Sequence, residues 1–270
     1  MSAENGGEDM ARPPKVIRDD IVRWLEMYLV EYSRIWDRLD KVRQNWSLTS
    51  YRGKEAMLQM SFTYALATQQ VPLSEAERVF DRIMNGQTVT AAYMGESFNT
   101  RRPQWMYRSI SDSTLWMIVL NALLDGDNMT ALDRLAEDAV GLRAKKASFA
   151  LAQLGFTQEM CVDGNISDLI SADIDTKIDI PQYRRVCANI QRMFPELTKR
   201  VREPYHLQWV LFDYQRHHRI NASGTGVVTT DSSPVATQDK WFEWATGNPA
   251  RIVRRMDRLE READRALDNG

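Results

Sequence analysis

The chain has 270 residues, 43% of them hydrophobic, enough for one large domain or two smaller ones with buried cores. Lys and Arg (35) nearly balance Asp and Glu (37), so any nucleic-acid surface must come from local clustering rather than an overall basic excess. The only two cysteines, Cys161 and Cys187, exclude a disulfide framework, a four-thiolate zinc site and a cysteine-bound iron–sulfur cluster, and point to a reduced, intracellular setting.

In chain order, residues 1–13, with Gly6, Gly7 and Pro13, read as a disordered leader without a signal-peptide pattern. Ile21, Trp24, Leu25, Tyr28, Tyr32, Ile35, Trp36, Leu39 and Val42 recur at three- and four-residue steps and predict a core-facing helix. A second pattern over 54–70 ends in Thr68-Gln69-Gln70, and Pro72 prevents simple continuation. Ser74-Glu75-Ala76-Glu77 predicts a capping box, the Ser74 hydroxyl accepting from Glu77 N–H. Residues 86–104 read as a loop ending in Arg101 and Arg102. Residues 105–124 read as one buried helix stopped by Gly126, and 130–140 as a short amphipathic helix.

Beyond Asp163, helices are expected at 165–172, 181–193, 195–202 and 204–218, followed by a Ser/Thr/Gly-rich loop over 222–238. A last helix over 249–267 carries the stripe Ile252, Met256, Leu259, Ala263 between Arg/Asp/Glu faces and is assigned a structural part. Period-two alternation is weak and confined to residues 226–230, and no run is long and apolar enough to span a membrane. The expected class is all-α, soluble, with no membrane partner.

Residues 141–163 hold the chemistry. A tight turn entered through Gly141 can aim the unpaired N–H groups of the next helix's first turn at a phosphate, with Arg143 and Lys146 adding charge. Lys145, an amine at a helix start among other cations, is the candidate nucleophile, and Asp163 the candidate base or stabiliser of a cationic sugar. The same residues have plainer uses: Lys-Lys at a helix start is usually solvated, and Asp163 is a good N-cap.

Gly141-Leu142-Arg143-Ala144-Lys145, with Asp163 eighteen residues after the lysine, resembles the hairpin and aspartate of the helix-hairpin-helix DNA glycosylase superfamily. Thr68-Gln69-Gln70-Val71 resembles that family's Gln-Gln segment, which fills the space left by an extruded base. Gln208-Trp209-Val210-Leu211-Phe212 resembles the C-terminal helix of the 8-oxoguanine DNA glycosylases. There a Gln reads the base edge, a Phe stacks on one face, and the residue in the place of Phe149 lies on the other.

The resemblance covers roughly residues 55–215. Arg143 stands where the hairpin has its second glycine, and Asn165 where a histidine follows the aspartate. It implies a two-domain helix-hairpin-helix glycosylase fold with a cleft between the domains. One domain would be 50–156, a central bundle ending in the hairpin, and the other 14–49 with 157–270. It implies Lys145 and Asp163 as catalytic residues, Phe149, Gln208 and Phe212 as base-binding, and Gln69, Gln70, Gly141, Arg143 and Lys146 as DNA-binding. No metal or other cofactor is implied. The partner would be double-stranded DNA carrying a damaged base, acted on by a monomer in the cytoplasm or at the nucleoid. The alternatives are a glycosylase of the same fold acting on another lesion or modified base, a non-catalytic helix-hairpin-helix DNA-binding protein and a purely structural helical protein.

Overall fold

The computed structural model describes residues 12–69, 71–93, 101–156, 158–171, 178–222 and 233–268, with only the backbone of 219–222. Helices fill them, and no strand occurs among the described residues, which gives an all-α protein. No helix among them is long and apolar enough to cross a membrane. Gln70 lies outside the described residues, as do residues 226–230 and most of the expected leader.

The first predicted helix is two, α1 (Lys15–Met27) and α2 (Leu29–Leu48), separated at Tyr28, whose N–H still bonds to Trp24. After α3 (Tyr51–Ala67) come α4 (Leu73–Met84), the five-residue α5 (Val89–Tyr93) inside the expected loop, and α6 (Arg102–Ile110). The expected single helix over 105–124 is broken because the Asp112 carboxylate accepts from Leu115 N–H at 3.0 Å and starts α7 (Ser113–Leu124). Then follow α8 (Asn128–Glu137), α9 (Ala144–Gln153), α10 (Gly164–Leu169), α11 (Ile180–Met193), α12 (Pro195–Arg200) and α13 (Pro204–Ala222). An unexpected short helix α14 (Asp239–Ala245) precedes α15 (Pro249–Asp268).

The chain divides into two compact units, residues 1–37 with 157–237, and residues 38–156 with 238–270. In the larger unit, α3 is the central helix, buried almost throughout, and α4, α6, α7, α9 and α15 all pack against it. The resemblance groups 38–49 and 238–270 with the other terminal segments, whereas both fall in the larger unit. There α15 presents Ile252, Met256, Leu259 and Ala263 to α3 and α6, and α14 packs on α4. The reason lies in charge as well as apolar area: Arg52 of α3 bonds Asp257 and Glu260 of α15 at 2.5 and 2.8 Å.

The expected capping box of α4 does not form. Pro72, which has no side-chain acceptor, occupies the N-cap, and Ser74 is exposed. Glu77 therefore falls two residues past the capping position, which Glu75 occupies, and is used elsewhere. Its buried carboxylate accepts from Lys240 N–H at 2.5 Å and Trp241 N–H at 3.4 Å, so it caps α14. In the smaller unit α13 packs against α1, α10 and α12.

Candidate functional site

Between α8 and α9 the chain turns at Gly141, φ +90°, a left-handed conformation that an L side chain resists. A Cβ there would also lie 2.7 Å from the Trp105 ring and 3.0 Å from Leu66. Two side chains from outside the hairpin set the turn: Gln69 Nε2 donates to Gly141 O at 2.7 Å, and the buried Ser109 hydroxyl accepts from Val140 N–H at 2.8 Å. Gln69 is in turn placed by Arg102, whose guanidinium donates to its carbonyl. Arg102 is buried, and desolvation lowers its pKa from the ordinary arginine value.

Arg143, in the place of the family's second glycine, is exposed and extended (φ −144°, ψ 176°), a conformation open to any residue. It acts as N-cap of α9 without a side-chain cap, while its carbonyl accepts from Lys146 and Ala147 at 2.9 Å. The N–H groups of Ala144 and Lys145 find no acceptor among the described residues. The start of α9 thus keeps unpaired donors and the positive end of a helix dipole.

The adjacent lysines differ. Lys146 Nζ donates to Thr68 O at 3.1 Å and Thr68 Oγ1 at 2.8 Å, and lies 4.9 Å from the centre of the Phe149 ring. Lys145 is half-buried and makes no side-chain hydrogen bond or ion pair among the described residues. Phe149 is buried and stacks on Tyr64 at 5.9 Å, within an aromatic layer that continues to Trp241 and Phe80.

The remaining candidates belong to the smaller unit. Asp163 is the N-cap of α10: one carboxylate oxygen accepts from Ile166 N–H at 3.1 Å, the other from Asn165 Nδ2 at 3.1 Å. The plain capping use foreseen for Asp163 is therefore realised. Gln208, on α13, is buried, and its Oε1 accepts from Cys161 N–H at 2.6 Å. Phe212, one turn later and half-buried, meets Trp209 edge to face at 5.4 Å.

Within the larger unit, then, Gln69, Gly141, Arg143, Lys145, Lys146 and Phe149 gather around one hairpin. In the smaller unit Asp163, Gln208 and Phe212 sit on the start of α10 and the middle of α13, whose helices pack together. Sequence reading missed Thr68, Arg102, Trp105 and Ser109, which hold the hairpin. Thr68 stood inside a quoted motif, but nothing local could reveal that its carbonyl and hydroxyl would receive a lysine 78 residues on. Among the described residues no three His, Cys, Asp or Glu side chains are grouped as metal ligands would be. No family model, curated protein or solved structure matches the chain.

Proposed function

We propose that the protein is a base-excision DNA glycosylase of the helix-hairpin-helix type, two helical domains flanking a cleft, with Lys145 as nucleophile. The observation that carries the assignment is the divergence of the two lysines. Lys146 is occupied by Thr68 and the Phe149 ring, whereas Lys145 stands at an uncapped helix start without a partner among the described residues. The unpaired amides there suit a DNA phosphate, which fixes position without reading sequence.

In this reading the damaged base is turned out of the duplex and Gln69 occupies the gap. The Lys145 Nζ lone pair attacks the sugar C1′, the C1′–N bond breaks, and the base leaves with its electron pair. Asp163 stabilises the cationic sugar. Loss of a proton from nitrogen and opening of the ring give a Schiff base, and loss of the proton on C2′ then expels the 3′ phosphate. An oxidised purine, 8-oxoguanine first, is the proposed substrate. A second reading, a glycosylase of the same fold acting on another modified base, is favoured by two contacts: Phe149 is used by Tyr64 and Lys146, and Gln208 by Cys161.

The test is borohydride trapping on a panel of duplexes, each with one lesion. Wild type should form a covalent complex with the 8-oxoguanine duplex, and Lys145→Gln none, with binding retained. Trapping on a different duplex alone selects the second reading. Trapping that survives in Lys145→Gln transfers the nucleophile to another amine, and none on any duplex removes the lyase.

A further inference from the structure

Helix α15 carries a feature that its apolar stripe does not explain. Arg251, Arg254, Arg258, Arg261 and Arg265 follow one another at steps of three, four, three and four residues, and all five are exposed. At 1.5 Å per residue the row runs about 21 Å along one side of the helix. The packing stripe lies on another side, buried against α3 and α6.

The acids of the same helix do not cancel the row. Asp257 and Glu260 are held by Arg52 of α3. Glu262 is shared between Arg255 at 3.2 Å and Arg258 at 3.4 Å, and Arg255 is itself fixed by the carbonyls of Ile83 and Gln87. Of the exposed acids, Asp264 projects to the side of the row and Asp268 stands at the helix end. Arg254 and Arg261 have no hydrogen bond or ion pair among the described residues. Arg251 is pre-set, its guanidinium 3.6 Å from the Trp244 ring and bonded to Asn85 Oδ1 at 3.1 Å. An open recess of about 370 Å³ lies between Thr88 and the side chains of Arg258, Arg261, Glu262 and Arg265.

We propose that this arginine row is a docking surface for the phosphodiester backbone of duplex DNA, the recess between Thr88 and Arg265 receiving a phosphate. Planar guanidinium groups pair phosphate oxygens two at a time, which suits a row made wholly of arginine. Its length matches about six base-pair steps, so successive side chains can meet successive phosphates. An anionic membrane fits less well, because Leu267 is the only large hydrophobic side chain exposed on α15 and there is little to insert. The inference does not depend on catalysis at Lys145.

The test is the salt dependence of affinity for an undamaged 20-base-pair duplex, followed by fluorescence anisotropy. Changing Arg254, Arg261 and Arg265 together to Gln should lower affinity about 10-fold or more at 0.1 M salt and reduce the slope of log K against log salt by about 2 to 3. The same three changed to Lys should keep most of the slope. These side chains are exposed, and an unchanged circular dichroism spectrum identifies a folded variant. Equal affinity and slope in wild type and the Gln variant would overturn the proposal, as would row-dependent binding to phosphatidylserine vesicles without duplex binding. Row-dependent duplex binding by a protein that neither traps nor releases base from any lesion keeps this surface and removes the glycosylase. Trapping by a protein whose affinity ignores the row does the reverse.

Discussion

Helices α9 and α10 begin with opposite chemistry. At α9 the N-cap is an extended arginine that offers no acceptor, and the first amides stay unpaired. At α10 the N-cap is Asp163, whose carboxylate takes one amide directly and is itself bonded by Asn165. The first start is left ready for an anion from outside, while the second carries its own. The difference extends to their units. The larger one pairs its partly buried charges across helices, as in Arg52 with Asp257 and Glu260, or sets them on a helix start, as with Glu77. The smaller one pairs Asp213 with Arg216 at 3.2 Å, yet there burial sets two pKa values far from the ordinary ones. Desolvation raises Asp213 to about 7, against the opposing effects of Arg216 and the Ala236 amide, and lowers His206 to about 4.

The strongest way to break the contrast is at the turn that creates the open start. Gly141→Ala should cost on the order of 2–4 kcal/mol, from the left-handed backbone and the approach to Trp105. Urea unfolding measures the cost. If the turn serves the proposed phosphate grip, DNA affinity should fall with it, and a Gly141→Ala protein of wild-type stability would show that the turn is not held as described.

The two shifted groups of the smaller unit sharpen the comparison through pH. A carboxyl raised from 3.8 to about 7 on folding stabilises most below pH 4 and loses that contribution as pH rises to 7. An imidazole lowered from 6.5 to about 4 acts in the other direction: its contribution is complete above pH 6.5 and lost as pH falls to 4. Over pH 4 to 6.5 the two slopes oppose each other. Wild-type stability should therefore change little there, Asp213→Asn should become more stable with rising pH, and His206→Phe, which can keep the stack on Trp36, less stable. Each single variant should show a change of order 2–3 kcal/mol across the window. Parallel profiles for all three proteins would remove this account.

The smallest effect is expected at α10. Asp163→Ala should cost about 1 kcal/mol through the lost cap, whereas Asp163→Asn keeps an accepting oxygen and should cost only a few tenths. Thermal unfolding separates these from activity: if the carboxylate also serves the proposed chemistry, Asp163→Asn should lose turnover while keeping its melting temperature.

How much of this was legible in the chain depends on the range of the interaction. The apolar spacing of α2, the stop at Gly126, the amphipathic α8, the turn at Gly141 and the Asp163 cap all follow from neighbours within a few residues, and each was readable. The break between α6 and α7 was readable too, since Ser111-Asp112-Ser113 holds a capping aspartate, but the apolar run around it dominated the pattern. Glu77 shows a different failure. Its spacing from Ser74 fits a local cap, yet its carboxylate serves a helix start 163 residues away, after Pro72 took the N-cap.

The sequence by itself determined an all-helical protein, the position of its hairpin and a pair of lysines at the hairpin's second helix. Periodicity, glycine and capping chemistry act locally, so they leave a local trace. Only the tertiary structure decided that Lys146 is held by Thr68 while Lys145 is left, that α15 closes on α3, and that five arginines stay outward on that helix. Those outcomes depend on which distant carbonyl, ring or carboxylate packing brings within bonding distance, and linear order does not carry that information.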